Sequence, residues 1–334
     1  MKKAISILLA AAMGAAALTG CSKSSGSSSS GNTPLVLNEV AHSIFYAPQY
    51  AAIELGYFED EGIDLTLVNG AGADKVMTAL ISGDAQIGFM GSEASIYVYQ
   101  EGSQDYAVNF AQLTQRAGNF LVAREEMPDF TWEDIKGKDV LGGRKGGMPE
   151  MVFEYILNQN NIDPAKDVNI DQSIDFGSTA AAFSEGQADF TVEFEPGATN
   201  LEKEGKGYVV ASLGTDSGYV PYTAFSAKQS YIDKNPEVIQ GFTNALQKGM
   251  DYVQSHTPED IAGIIAPQFK ETDLDTITTI VERYYDQDTW KDNLVFEEDS
   301  FNLLQDILED AGELDKRAPY EDLVTTDFAD KAAK

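Results

Sequence analysis

The sequence predicts an α/β protein with two lobes, each built around a mixed, mostly parallel sheet. Strand-like and helix-like stretches alternate from Pro34 onward, and the same alternation starts again near Asp139. Such alternation favours parallel strands with helices on both faces of the sheet. Residues 81–87 also resemble residues 184–190, at an offset of 103 positions. A chain of 334 residues is long for one compact domain, so two similar units are expected.

The first unit is predicted from three strand–helix pairs. Short β-rich or alternating runs predict the strands, and Gly56 and Gly83 supply helix stops. The predicted strands are residues 35–40, 63–68 and 85–90, and the predicted helices are residues 48–55, 73–81 and 93–100.

The second unit repeats this order, and a helical region follows it. Pro149 fits the first position of a helix, and Val238, Phe242, Leu246 and Met250 recur every four residues along another. The predicted strands are residues 139–142, 168–174 and 188–194, and the predicted helices are residues 149–159, 178–184, 236–254, 258–268, 273–285 and 300–310. Residues 34–118 with 221–334 are assigned to lobe one and 119–220 to lobe two. A ligand is expected in the crevice where strand ends and helix N-termini of both lobes meet.

The N-terminus predicts export and lipid attachment. A basic start precedes a mostly apolar stretch of fifteen residues, 4–18, which is too short to span a bilayer of about 30 Å and fits a secretory signal peptide, residues 1–20. Leu18-Thr19-Gly20-Cys21 resembles a bacterial lipobox, so Cys21 is the predicted lipidation site; an ordinary signal peptide that contains a cysteine is the alternative. Residues 21–33 are rich in Ser and Gly and predict a flexible tether. These features place the protein outside the cytoplasm, anchored to the outer face of the bacterial cell membrane.

Composition excludes several functions. With 54 acidic and 23 basic residues the formal charge is -31, which repels nucleic acid. Cys21 is the only cysteine, and His42 and His256 are the only histidines, so disulfides within the chain, Cys-based zinc sites and multi-histidine metal sites are excluded. There is neither a Gly-x-Ser-x-Gly elbow nor a nucleotide-binding P-loop. We therefore expect no enzymatic activity, no cofactor and no metal.

Several stretches resemble a known family. An aromatic loop at 45–52 leads into Gly56-Tyr57-Phe58, an acidic link and Gly62-Ile63-Asp64-Leu65, and residues 80–88 and 186–190 agree further along. These resemble ABC-transporter substrate-binding proteins of the NMT1/THI5-like family, whose ligands include nitrate, sulfonates, taurine and thiamine pyrimidine precursors. The similarity covers roughly residues 35–255. It implies a type II periplasmic-binding-protein fold, a hinge between two lobes that close on one small solute, a monomer, and an ABC permease with its ATPase as partners.

Lobe one offers two groups of candidate ligand contacts. The loop after the first strand contains polar and aromatic side chains, and an aromatic pair there suits a flat ligand; packing of Phe45 in the core, and a surface or capping role for His42, are the alternatives. The glycine and serine at the next helix start suit an anion, but Glu93 opposes one, unless it only complements the helix end. The candidates are Asn38, His42, Phe45, Tyr46, Gly91, Ser92 and Glu93.

Lobe two offers a glycine loop, two glutamates and two tyrosines. The glycines allow close backbone approach to a solute, whereas an acidic residue after the third strand of this lobe repels sulfonate or nitrate and accepts hydrogen bonds from an aminopyrimidine or an amine. We therefore expect a flat, nitrogen-rich, neutral or cationic ligand. The candidates are Gly146, Gly147, Met148, Glu193, Glu195, Tyr219 and Tyr222.

Three other functions remain open from the sequence. An alkanesulfonate, taurine or another organic anion is the alternative ligand within the same family. A pyrimidine-synthesis enzyme is a relative that the family resemblance implies, but its chemistry relies on histidine and on a cysteine-rich segment with iron, and this chain has only Cys21. A surface adhesin or sensor that uses the fold without transport is the third.

Overall fold

A computed structural model describes residues 31–174 and 176–334, and the segment Asn32–Lys334 forms one compact unit. The predicted signal peptide, Cys21 and nearly all of the tether lie outside the described residues. No helix in the described part combines the length and apolar character that a membrane span needs.

Ten strands form two five-stranded sheets. In chain order they are Thr33–Glu39 (β1), Ile63–Asn69 (β2), Ile87–Met90 (β3), Ala107–Thr114 (β4), Phe120–Ala123 (β5), Asp139–Leu141 (β6), Asn169–Asp171 (β7), Phe190–Glu193 (β8), Tyr208–Ser212 (β9) and Thr223–Lys228 (β10). The first sheet has the order β2-β1-β3-β10-β4 and the second has the order β7-β6-β8-β5-β9. In each sheet three parallel neighbours are extended by two strands that join through antiparallel pairs. The predicted α/β class with two mixed sheets is therefore confirmed.

Helices cover the sheets and form the C-terminal region. The α-helices are Ala47–Glu54 (α1), Tyr57–Asp60 (α2), Ala73–Ser82 (α3), Glu93–Gln100 (α4), Met148–Gln159 (α5), Thr179–Ser184 (α6), Gly197–Lys203 (α7), Leu213–Asp216 (α8), Gln229–Lys234 (α9), Pro236–Ser255 (α10), Pro258–Ile265 (α11), Leu274–Asp286 (α12), Glu298–Asp310 (α13), Tyr320–Leu323 (α14) and Asp327–Ala332 (α15). Short 3₁₀ helices occupy Ile44–Tyr46, Trp132–Ile135, Phe176–Ser178 and Ala266–Gln268.

The sequence predicted the parallel strands and their helices, but it missed β4, β5, β9 and β10, which join the sheets through antiparallel pairs. β4 is buried along its whole length although it contains Asn109, Gln112 and Thr114, so it lacks an apolar pattern. Its polar groups find partners only in the folded protein. The Asn109 amide donates to Ser95 Oγ over 2.8 Å and accepts from Ser226 Oγ over 2.7 Å. Buried polar groups that are hydrogen-bonded in this way are tolerated in a core.

Two predicted C-terminal helices differ in detail from the structure. The helix predicted at 258–268 ends at Ile265 and continues as a 3₁₀ turn, because Pro267 has no amide hydrogen to extend the α-helical ladder. In α10 the buried face contains Ile239, whereas Val238 is only partly buried. Glycine at 249 lets α10 approach α1 closely, since an added Cβ would lie 2.2 Å from the Pro48 carbonyl oxygen.

The chain passes between the two sheets through residues 115–119 and through residues 213–222. α10 packs against α1, α2 and α15 beside the first sheet, whereas α13 packs against α5 beside the second. The C-terminal region therefore contacts both sheets.

Candidate functional site

The candidate site lies where the parallel strands of the two sheets end. β1 leads into the 3₁₀ helix Ile44–Tyr46 and β3 into α4, while β6 leads into α5 and β8 into α7. The segments that follow these four strands contact one another, and we call their contact zone the inter-sheet region. Ligands of open α/β sheets bind at such strand ends, next to helix N-termini.

Aromatic rings from both sides fill part of the inter-sheet region. The Phe45 ring lies 5.7 Å from the Phe194 ring and 5.7 Å from the Tyr222 ring, between ring centroids. Tyr46 packs edge-on against Phe89 at 4.4 Å. Gly118, in the first connection between the sheets, makes room for this cluster, because an added Cβ would lie 2.6 Å from Phe194 and 2.7 Å from Phe45. The two sides are therefore in close contact here.

Glu93 has the most unusual environment of the candidate residues. It is only 3% exposed, and its Oε2 has no hydrogen-bond partner. Burial raises the pKa of Glu93 to about 7, although the Met148 amide and the charge of Arg144 oppose the rise. Burial also raises the pKa of Tyr46 and of Tyr222, and the charge of Glu93 adds to both rises. A buried acceptor oxygen therefore lies among tyrosines and beside the start of α5.

The start of α5 also contacts α4 through Tyr97. The Tyr97 hydroxyl donates to the Gly146 carbonyl over 3.3 Å and lies 3.6 Å from Met151 Sδ. The Gly146 amide in turn donates to Glu150 Oε2 over 3.0 Å. Burial, and then the nearby charge of Glu154, raise the pKa of Glu150 to about 8. The glycine loop before α5 is thus hydrogen-bonded to α4 through Tyr97 and to α5 through Glu150.

The two glutamates at the end of β8, Glu193 in the strand and Glu195 just after it, have partners. Thr191 Oγ1 donates to Glu193 Oε1 over 2.6 Å, and burial raises the pKa of Glu193 to about 7 against hydrogen bonds from Thr191 and Thr179. Glu195 accepts from the amide and the hydroxyl of Thr199, both at 2.9 Å, and from Arg283 Nη1 over 2.6 Å. Burial raises the pKa of Glu195, and the positive charge of Arg283 opposes this rise.

Asn38 lies within β1, and His42 lies beside the first sheet rather than between the sheets. His42 Nδ1 is 2.7 Å from Glu39 Oε1, and its Nε2 is 3.0 Å from the Gln268 carbonyl oxygen. Both ring nitrogens are therefore engaged within the protein. Asn38 is buried next to Gly70, and its Oδ1 has no partner.

Of the candidates not yet described, Gly91 and Ser92 lie in the inter-sheet region and Tyr219 lies at the surface. Ser92 Oγ donates to the Pro221 carbonyl over 2.8 Å, and the Glu93 carboxylate folds over Gly91, where an added Cβ would lie 2.1 Å from Oε2. Tyr219 is 52% exposed and its hydroxyl donates to Asp288 over 2.7 Å. The structure thus brings together Phe45, Tyr46, Gly91, Ser92, Glu93, Gly146, Gly147, Met148, Glu195 and Tyr222 around the inter-sheet region, whereas Tyr219 lies at the surface.

Sequence reasoning missed several residues of this region. Tyr97 lies four positions after Glu93 in α4, so helical spacing would have found it. Asn119 is buried in the first connection, where its Oδ1 accepts from the Tyr222 hydroxyl over 2.5 Å and its Nδ2 has no partner. Arg283 comes from α12, 88 positions from Glu195 in sequence, and no local pattern points to it.

Among the described residues, no group of three or more His, Cys, Asp or Glu side chains is arranged to hold a metal ion. The polar groups of the inter-sheet region are the Glu93 and Glu195 carboxylates, tyrosine and serine hydroxyls, an amide side chain and backbone amides. This set is suited to hydrogen bonding with a small polar molecule.

Comparison with known proteins assigns the chain to a family. The model of the family described as NMT1/THI5 like matches residues 44–260. The chain belongs to the NMT1/THI5-like family. Among curated relatives, "Putative binding protein YtlA" of Bacillus subtilis (strain 168) is 47% identical over 299 residues, which is 90% of each chain.

Solved structures share the fold of this NMT1/THI5-like chain at low sequence identity. The ligand-binding component of an ABC-type import system from Staphylococcus aureus, solved with zinc bound, superposes with a TM-score of 0.73 at 17% identity, over 90% of this chain and 99% of the other. The alkanesulfonate-binding protein SsuA from Xanthomonas axonopodis pv. citri, bound to MOPS, gives 0.72 at 16% identity, over 88% and 98%. The chain therefore has the type II periplasmic-binding-protein fold.

Proposed function

We propose that this protein is the extracytoplasmic solute-binding component of an ABC importer, and that it binds a small, flat, nitrogen-containing solute between its two sheets. The division into lobes at residues 34–118 with 221–334 and 119–220 is part of this proposal. Closure of the lobes around the solute would shift the balance between open and closed forms toward the closed one.

The unpartnered Oε2 of Glu93 is the observation that carries the choice of ligand. Five glutamates are buried in the described part of the chain, Glu39, Glu93, Glu150, Glu193 and Glu195. Among them only Glu93 has a buried carboxylate oxygen without a hydrogen-bond partner. An unpaired buried acceptor is costly, so a ligand that donates an N–H to this oxygen would gain the bond that the solute-free protein lacks.

The neighbours of Glu93 suit a flat heterocycle with both donors and acceptors. Tyr46 and Tyr222 offer ring faces and hydroxyls, and the unpartnered Nδ2 of Asn119 offers a donor close to Tyr222. An aminopyrimidine of the thiamine-precursor type carries an amino group for Glu93 and ring nitrogens for a donor. Stacking on tyrosine would add to its affinity.

The charges of this region disfavour an alkanesulfonate or another organic anion. The cation that pairs with the segment after β8 is Arg283, which is partly exposed, and its two terminal nitrogens already bind Glu195 and Glu202, at 2.6 and 2.8 Å. Glu93 carries a negative charge above its pKa of about 7 and would repel a sulfonate. An anion would therefore face carboxylates with no free positive partner among the buried residues described.

The cellular setting belongs to the same proposal. A signal peptide of residues 1–20 and lipid attachment at Cys21 would hold the protein at the outer face of the membrane as a monomer. An ABC permease and its ATPase would receive the loaded form. The protein would act without catalysis, cofactor or metal, because the solute is transferred unchanged.

A binding titration tests the ligand assignment. A form that lacks residues 1–21 keeps the compact unit and removes the predicted lipidation site. We expect 4-amino-5-hydroxymethyl-2-methylpyrimidine to bind and to raise the melting temperature, whereas taurine and nitrate leave both calorimetry and melting unchanged. Binding of taurine without binding of the aminopyrimidine would refute the ligand class and leave the importer role to the anion alternative.

A substitution at Glu93 connects the titration to the site. Hydrogen bonds to charged groups contribute about 1.5–3 kcal/mol, so Glu93→Gln should weaken aminopyrimidine binding about 10- to 100-fold. Glu61→Gln is the matched control, because Glu61 pairs with Lys248 between α2 and α10 and lies outside the inter-sheet region. Equal affinities of the two variants would remove Glu93 from the site.

A further inference from the structure

His42 is held by two hydrogen-bond acceptors. Its Nε2 faces the Gln268 carbonyl oxygen at 3.0 Å, and its Nδ1 faces Glu39 Oε1 at 2.7 Å. A carbonyl oxygen only accepts, so Nε2 must carry a hydrogen. A neutral imidazole has one N–H only. A second proton must therefore lie between Nδ1 and the Glu39 carboxylate, whichever of the two atoms carries it.

The other hydrogen bonds of Glu39 do not supply the proton that lies between Oε1 and His42. Its Oε2 already accepts from the Tyr50 hydroxyl and from Gln49 Nε2, each over 2.8 Å. Glu39 is 1% exposed, and His42 is the one cationic group that contacts it within the described residues. Loss of the shared proton would leave a buried carboxylate without a counter-charge, which is strongly unfavourable.

Glu39 and the Gln268 carbonyl favour the protonated form of His42, and burial opposes it. His42 faces Glu39 of β1 and the Tyr50 hydroxyl of α1, which is 3.1 Å away. It also faces the Gln268 carbonyl of the 3₁₀ helix Ala266–Gln268. The Phe269 ring lies 4.8 Å away, and Gln268 is itself held by Glu54 at the end of α1. The hydrogen bond with Glu39 is the main cause that raises the pKa of His42 above 6.5, and burial opposes it.

A chain of hydrogen bonds connects this pair to the inter-sheet region. The Tyr50 hydroxyl accepts from the Ser43 amide over 3.2 Å. Ser43 Oγ caps the 3₁₀ helix Ile44–Tyr46 by accepting from the Phe45 amide, and it donates to the Glu195 carbonyl over 3.1 Å. The segment that carries Phe45 and Tyr46 is thereby fixed between the His42–Glu39 pair on one side and the residues after β8 on the other.

We propose that His42 and Glu39 are a proton-sharing positioning pair, which holds residues 43–46 in the inter-sheet region and makes both folding stability and solute affinity depend on pH. The stability part stands on the contacts above, whereas the affinity part rests on the proposed function. Because the folded-state pKa of His42 is raised, the contribution is fully present below pH 6.5 and is lost as the pH rises through the folded-state pKa.

Nuclear magnetic resonance tests the proton directly, because the chain contains only two histidines. Imidazole signals of the form that lacks residues 1–21 are followed from pH 5 to 9, and His256→Gln identifies the His42 signal. We expect His42 to titrate above pH 6.5 and to titrate at lower pH in Glu39→Gln. Titration of His42 at or below pH 6.5 in the unaltered chain would overturn the proposal, and this result does not depend on any variant that might fail to fold.

Urea denaturation against pH measures the consequence. The folding equilibrium constant of the unaltered chain should fall by at most about tenfold per pH unit between pH 6.5 and the folded-state titration of His42 and then level off, and this component should be missing in His42→Gln. His256→Gln is the matched control, since His256 is exposed and stacks on Tyr252 at 3.8 Å. An identical pH slope in His42→Gln and in the control contradicts a shared proton.

Titration with 4-amino-5-hydroxymethyl-2-methylpyrimidine at pH 6 and pH 8.5 tests the affinity part. We expect the loss of affinity between the two pH values to be several-fold larger in the control His256→Gln than in His42→Gln, because His42→Gln has lost this proton linkage. Equal losses in both variants overturn the affinity part. If the probe binds at neither pH, the proposed ligand is wrong, while the magnetic resonance and denaturation results still decide the positioning pair.

Discussion

The ends of β3 and β8 occupy equivalent places in the two sheets, but the glutamates that follow them have opposite environments. Each strand is the third of three parallel neighbours and leads into a helix, α4 or α7. After β3, Glu93 has a buried oxygen with no partner. After β8, Glu195 is saturated by Thr199 and Arg283. The same topology therefore produces a carboxylate with several partners on one side and one with an unpartnered oxygen on the other.

Glu195 and Glu93 differ because their partners come from different parts of the chain. Arg283 reaches Glu195 from α12 in the C-terminal region, and it also binds Glu202. Glu93 faces the Met148 amide and a more distant, exposed Arg144. An ion pair compensates the desolvation of a buried charge, whereas the backbone hydrogen bonds of Glu93, from its own amide and from Met148, compensate it only in part.

The largest effect is expected from Arg283→Gln, which leaves the buried Glu195 carboxylate without its counter-charge. Breaking a buried ion pair by removing one partner costs about 3–5 kcal/mol, and the hydrogen bonds from Thr199 to Glu195 remain. We expect the free energy of unfolding to fall by about 3 kcal/mol in urea denaturation at pH 8. Glu202→Gln is the control and should cost less than about 1 kcal/mol, because Glu202 is partly exposed. Similar losses in both variants would mean that the pair with Glu195 has no special role.

Glu93→Gln should change stability in the opposite direction. The folded-state pKa of Glu93 is about 7 against an ordinary 4.5, so the folded protein prefers the protonated form and loses stability as the pH rises from 4.5 through 7. Glutamine stays neutral, so the variant should be more stable by about 2–3 kcal/mol at pH 8 and similar to the unaltered chain at pH 4.5.

Urea denaturation at the two pH values checks this prediction on solute-free protein. A variant that is less stable than the unaltered chain at pH 8 would show that Glu93 has a stabilising partner after all. Gained stability together with lost aminopyrimidine binding is the combination that separates a ligand-binding carboxylate from a structural one.

A smaller effect is expected from Gly118→Ala, which tests the contact between the two sides without changing charge. The added Cβ would lie within 2.7 Å of both Phe45 and Phe194, and overpacking of a buried site costs about 1–3 kcal/mol. We expect weaker aminopyrimidine binding, by about tenfold, and a lower melting temperature.

Gly263→Ala is the matched control for Gly118→Ala. Nothing lies within 4 Å of the added Cβ at this position in α11, and alanine favours a helix over glycine by up to about 1 kcal/mol. The control should therefore raise the melting temperature slightly and leave binding unchanged. Unchanged binding in Gly118→Ala as well would show that the Phe45–Phe194 contact does not take part in closure.

The local pattern of the chain accounts for much of the fold and part of the site. The parallel strands and the helices after them were predictable because their apolar runs, glycine stops and proline starts act over a few residues. For the same reason Glu93 and the glycine loop before α5 were found at helix starts. β4 was not, since Asn109 and Thr114 are compatible with burial only when Ser95, Ser226 and Thr223 are in place.

The sequence by itself determined the two-sheet α/β class, the family, and the presence of carboxylates and aromatic residues at the strand ends. Only the tertiary structure decided which carboxylate keeps a free oxygen and which histidine shares a proton. Those properties depend on partners such as Arg283 and Gln268, which are 88 and 226 positions away from Glu195 and His42. Desolvation and pairing of a charge are set by what surrounds it in space, and spacing along the chain does not encode that environment.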